Sequence, residues 1–85
     1  MKHASHQAIV VRLKRADGHL KSIIRMIGDG ESCVALSQQL HAVEKAVGNA
    51  KRELIHDHIE HCLEERGGAP KKSSLQELKQ LTKYL

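Results

Sequence analysis

Eighty-five residues with one aromatic ring, Tyr84, allow a single domain with a modest core, so the chain is poorly equipped to stand alone and a homo-oligomer is expected. No run of about 18 apolar residues spans a membrane, and no apolar core of a signal peptide is present. Two cysteines without a secretion signal then point to a reducing cytoplasm, where thiols act as ligands or redox groups. The net charge of +4 is uneven: residues 1–27 hold six Lys/Arg against Asp17, residues 28–67 hold eight acids against four bases, and residues 68–85 are basic again. A basic first segment beside an acidic second one fits a polyanion-binding face, against the plainer reading of a solvated lysine-rich surface.

The first element is a helix over about 5–28. Its apolar residues Ile9, Leu13, Ala16, Leu20, Ile23 and Ile27 fall at 4-3-4-3-4 spacing, a heptad-type seam. Gly18 interrupts it at a cost of about 1 kcal/mol relative to alanine, with close helix approach as one reason for a glycine there. Gly28-Asp29-Gly30 ends it. A second helix is expected over about 31–66, with the seam Cys33, Leu36, Leu40, Val43, Val47, Ala50, Leu54, His58 and Cys62. At 1.5 Å per residue it is roughly 50 Å long and needs partners along its whole length. Residues 67–72, opening on Gly67-Gly68-Ala69-Pro70, read as a linker. Ser74 and Glu77 have capping-box spacing for a short third helix over about 73–85 that buries Leu75, Leu78, Leu81 and Leu85. The fold class is all-α with a three-helix subunit.

The chemistry lies on the second seam. His58 and Cys62 are one helical turn apart and can clamp one ion. Cys33 lies 25 residues before His58, or roughly 37 Å along a straight helix, so it cannot join that pair in its own chain. Between two antiparallel copies, Cys33 of one meets His58 and Cys62 of the other, giving two symmetric sites. Two thiolates and one imidazole form a soft set that suits Cu(I), whereas Zn(II) wants a fourth ligand. Taken singly, a seam Cys or His is a core residue; three on one seam with ligand spacing favour a site. His56 and His61 flank it but fall off the seam and read as exposed. Met1-Lys2-His3 has the spacing to wrap Ni(II) or Cu(II) in a square plane, with His6 near by.

The stretches Arg12-Leu13-Lys14, Gly18-His19-Leu20 and Ile23-Ile24-Arg25-Met26, followed by Gln38-Gln39-Leu40, Ala42-Val43, His56-Asp57-His58 and Cys62, resemble the CsoR/RcnR family of metal-responsive bacterial repressors. The likeness covers roughly residues 9–66, and Leu75 to Tyr84 is similar to the family's third helix. The Cys33, His58, Cys62 pattern resembles the copper-sensing branch. The resemblance implies an antiparallel four-helix-bundle dimer that assembles to a tetramer. It also implies an apo oligomer on double-stranded operator DNA, released when an ion binds at Cys33, His58 and Cys62. The DNA face it implies comprises Arg12, Lys14 and Arg15 with Lys51 and Arg52, while Asn49 stands where the family has another arginine. A tyrosine before the first cysteine and a glutamate on the third helix, which supports the site histidine, are matched here by Ser32 and Gln76.

Other inducers follow from the same resemblance. Nickel and cobalt sensors recruit N-terminal ligands, for which His3 is the candidate, so Ni(II) or Co(II) stand beside Cu(I) and Zn(II). Persulfide sensors act through two cysteines at the Cys33–Cys62 spacing, and formaldehyde sensors use an N-terminal proline that is absent here. From the residues alone, no helix-turn-helix, zinc finger or aromatic stacking platform is visible, so DNA contact is expected mostly at phosphates. A metal-buffering protein that ignores DNA shares the ligands but leaves the basic first helix unexplained. No acid–base pair or activated nucleophile suggests an enzyme.

Overall fold

The computed structural model describes residues 4–66 and 72–85; the described residues form helices and no strands. The helices are α1 (Ala4–Gly28), α2 (Cys33–Arg66) and α3 (Lys72–Leu81), and a 3-10 turn over Thr82–Tyr84 continues α3. The first two pack as an antiparallel hairpin.

The hairpin's turn is defined by capping. The Glu31 amide donates to the Met26 carbonyl at 3.1 Å and the Gly30 amide to that of Ile27 at 3.2 Å, the paired pattern of a Schellman motif. Gly30 is the residue that takes φ +77°, a conformation in which any Cβ would be strained. Two residues later, the Ala35 amide donates to Ser32 Oγ at 3.1 Å, so Ser32 is the N-cap of α2 and Cys33 its first helical residue. Gly18 sits within unbroken helix, and a Cβ there would meet nothing within 4 Å, so no close approach inside the subunit calls for it.

The two heptad seams divide in an orderly way. Every second seam position is buried or half-buried: Ile9, Ala16 and Ile23 of α1 and Val43 and Ala50 of α2 are all at most 9% exposed, and Ala16, Ile23 and Val43 form one cluster with Leu36 packed against it. Ile55 adds to this core, and Ile23 is its most buried member at 1%. The alternate positions face outward. Leu13, Leu20 and Ile27 of α1 and Leu40, Val47 and Leu54 of α2 are between 42% and 57% exposed. Cys33 is exposed as well. A seam that reads as one buried line is therefore two lines, one inside the subunit and one outside.

The third helix departs from expectation in two respects. It starts at Lys72, so Ser74 lies inside its first turn and is buried rather than serving as the N-cap. Its leucines are not enclosed by the subunit: Leu75 and Leu85 are exposed, and Leu78 and Leu81 half-buried.

The resulting shape is a thin slab of 57 × 24 × 14 Å with an accessible surface of 6587 Å². A compact chain of 9.5 kDa would expose only about 5000 Å². A slab one helix thick leaves both broad faces of the hairpin uncovered.

Candidate functional site

Two regions of the hairpin collect the residues singled out by sequence. At the open end, His58 projects from α2 toward α3, where Glu77 Oε1 lies 3.0 Å from its Nε2. A neutral imidazole donates one proton and keeps one lone pair. With Nε2–H given to Glu77, Nδ1 is left as the donor atom for an ion. The carboxylate thereby fixes tautomer and ring orientation, as partners of metal-bound histidines do. Glu77 is the α3 residue that lies beside His58, one position after Gln76; both are exposed. One residue on a helix is a rotation of about 100°, enough to exchange the side chain that faces a neighbour for one that does not.

Cys33 lies at the far end of α2, its thiol on the outward stripe beside Val34, Ser37, Gln38 and His41, which line a shallow apolar depression. Ser32 next to it caps α2, its Oγ accepting from the Ala35 amide. Among the described residues, no three His, Cys, Asp or Glu side chains converge within the subunit. Cys62 lies on α2 four residues after His58, and its side chain, like all of His3, falls outside the described residues. His56 is exposed, whereas His61 is half-buried, and both His6 and His61 have interaction partners. His6 Nε2 is 3.6 Å from Asp57 Oδ2, tying the start of α1 to the end of α2. A half-buried imidazole on a helix that also carries Cys33 and Cys62 is a donor chemistry that would fit a soft ion.

The second region is a cleft of about 460 Å³ between the helices, lined by Arg12, Arg15, Ala16, His19, Ala46 and Asn49. Its polar rim is organised by pairs from α1 to α2 and along α2. Arg12 pairs with Glu53, His19 Nε2 bonds Gln39 Oε1, and the Arg52 guanidinium donates to Asn49 Oδ1. Arg12, Lys14, Arg15, Lys51 and Arg52 are all exposed. Lys51 lines a separate apolar groove with Ile9, Leu13, Val47, Ala50 and Leu54. The pairings of Glu53, Gln39 and Glu77 with distant residues escaped sequence reasoning; an acid 41 residues from its arginine leaves no local signal.

With this geometry in hand, comparison with known proteins gives a consistent result. The family model for metal-sensitive transcriptional repressors matches residues 5–85. The copper-sensing transcriptional repressor CsoR of Mycobacterium ulcerans is 43% identical over 56 residues, covering 66% of this chain and 48% of that protein. The Bacillus subtilis protein of the same name is 36% identical over 55 residues, covering 65% of this chain and 54% of its own length. The matched stretch thus spans about half the length of these relatives. Among solved structures, the nickel-responsive transcriptional regulator InrS superposes with a TM-score of 0.80 at 27% identity, covering 100% of this chain and 98% of that one. The chain belongs to the CsoR/RcnR family of metal-sensitive transcriptional repressors.

Proposed function

We propose that two copies of this chain pair antiparallel into a four-helix bundle, associate further to a tetramer, hold operator DNA in the apo state and release it on binding a metal ion. The observation that carries the reading is the placement of Cys33 on an open apolar stripe with Leu40, Val47 and Leu54, a helix length from His58. Covering that stripe with an antiparallel copy brings the thiol to the partner's His58 and Cys62. The residues holding the ion are Cys33 from one copy and His58 and Cys62 from the other, with Glu77 orienting His58. When bound, the ion supplies a soft Lewis-acid bridge between subunits.

Cu(I) is the first choice, on the donor set and the copper-sensing relatives. Ni(II) is the second, supported by the likeness to the nickel-responsive regulator over the whole chain; it calls for further ligands such as His3. Co(II) and Zn(II) complete the series to be titrated. A persulfide sensor working through the two thiols leaves the His58–Glu77 pair without a task. A metal buffer leaves the Arg12–Arg15 cleft without one.

The family consists of transcriptional repressors rather than enzymes. No described helix is long and apolar enough to cross a membrane. DNA contact on this reading is mostly to phosphates, through Arg12, Lys14, Arg15, Lys51 and Arg52, so affinity falls steeply as salt rises. Release requires the ion to bind the DNA-free form better, and a 100-fold loss of operator affinity corresponds to about 2.7 kcal/mol of coupling.

The test is a titration of the apo protein on operator DNA with Cu(I), Ni(II), Co(II) and Zn(II) in turn. One ion per subunit is expected to release DNA, and Cys33→Ala and Cys62→Ala each to abolish that release. X-ray absorption of the loaded protein showing only nitrogen and oxygen neighbours sinks the thiolate site.

A further inference from the structure

We infer that Glu53 sets the strength of the DNA face by occupying Arg12 in the free protein and competing with the incoming phosphate. This rests on the DNA reading above and adds a residue that neither the resemblance nor the charge pattern indicated.

Arg12 of α1 and Glu53 of α2 form an ion pair at the edge of the cleft lined by Arg12, Arg15, Ala16, His19, Ala46 and Asn49. None of the lining residues is acidic, so the cleft offers two guanidiniums, an imidazole and an amide to an anion. Both partners remain open to solvent, with 52% of the Arg12 and 36% of the Glu53 side chain exposed, so a large anion can reach the guanidinium without unfolding anything. A carboxylate and a phosphodiester present the same feature to arginine, two anionic oxygens in a plane that its fork can meet. Glu53 thus holds the place that a backbone phosphate takes.

Two consequences follow for binding. The phosphate must replace an existing partner of Arg12 rather than meet a bare cation, and the displaced carboxylate stays close enough to repel it. Both lower operator affinity relative to a face in which Arg12 is free. Neighbouring pairs do not act in this way: Asn49, the partner of Arg52, carries no charge, and Asp17 pairs with Lys21 at 3.1 Å, neither of which lines the cleft. Glu53 is therefore the acid whose removal changes the face most.

The experiment measures operator affinity of the metal-free full chain at several salt concentrations, for wild type, Glu53→Gln, Arg12→Ala and the double variant, with Glu44→Gln as a control for net charge. Glu53→Gln is expected to tighten binding by about threefold per contacting subunit at low salt, the size of an exposed ion pair, with the gain shrinking as salt rises. Arg12→Ala weakens binding, and in that background Glu53→Gln adds nothing beyond Glu44→Gln. Equal tightening by Glu53→Gln with and without Arg12, or equal tightening by Glu44→Gln, overturns the competition. Weaker binding by Glu53→Gln at unchanged thermal stability also overturns it, because Glu53 then positions Arg12 instead of withholding it. If Glu53→Gln melts early, Glu53→Ala measured below its own melting point gives the same comparison. Wild-type protein that fails to retain operator DNA removes the function proposed above and this inference with it; wild-type binding with an unaltered Glu53→Gln affinity removes the inference alone.

Discussion

The inner and outer halves of each heptad seam are chemically alike and physically opposite. Ile9, Ala16 and Ile23 of α1 and Val43 and Ala50 of α2 lose their water within the subunit, while Leu13, Leu20 and Ile27 with Leu40, Val47 and Leu54 keep theirs. Aliphatic residues in regular register on the outside of so small a chain form a patch that soluble monomers rarely display. On the antiparallel pairing proposed above, the hairpin has one core of its own and an outer apolar line that a second copy would cover.

Substitutions at matched positions break this comparison cleanly. Ile23→Ala, at the most buried site, is expected to cost about 4 kcal/mol, read from the midpoint of denaturant unfolding at fixed protein concentration. A loss below about 1 kcal/mol would mean that the inner core is not the subunit's anchor. Leu40→Glu on the outer stripe should leave the hairpin helical in concentrated solution but weaken self-association by about 100-fold, seen as a shift to the monomer in sedimentation. Unchanged mass would show that the outer stripe is not the interface.

Smaller effects sharpen the picture at the two ends of α2. Glu77→Ala is expected to weaken metal binding by about tenfold, and Gln76→Ala to leave it unaltered, in competition titrations against a chelator. The reverse ranking would return the supporting role to Gln76. Ser32→Ala removes the α2 cap at a cost of about 1 kcal/mol in thermal stability, and it frays the turn that carries Cys33 toward the outer face. Equal stability of that variant with wild type would show that the cap adds little in solution.

The sequence disclosed the helices because their signals are local. Seam spacing and the Gly28-Asp29-Gly30 stop each act within a few residues. Which half of a seam turns inward is a different question, since Leu40 and Val43 are equally apolar and only the tilt of α1 against α2 separates them. The candidate ligands stood out for the same local reason as the helices: His58 and Cys62 share a turn, and the length between Cys33 and His58 forbids an internal meeting. Tertiary partners did not. Glu77 lies beside His58 one position after the residue the resemblance had matched, a phase of α3 that spacing within the helix cannot reveal. Glu53 and Gln39 meet α1 across a hairpin whose facing residues lie 20 to 41 positions apart.

The 14 Å thickness of the subunit has a bearing on how the molecule is made. If the second core closes only on pairing, folding is completed by an encounter between two newly synthesised chains, and dilution alone loosens the product. The melting temperature then climbs with protein concentration, and the amount of repressor needed to occupy an operator has a floor set by how readily copies find each other.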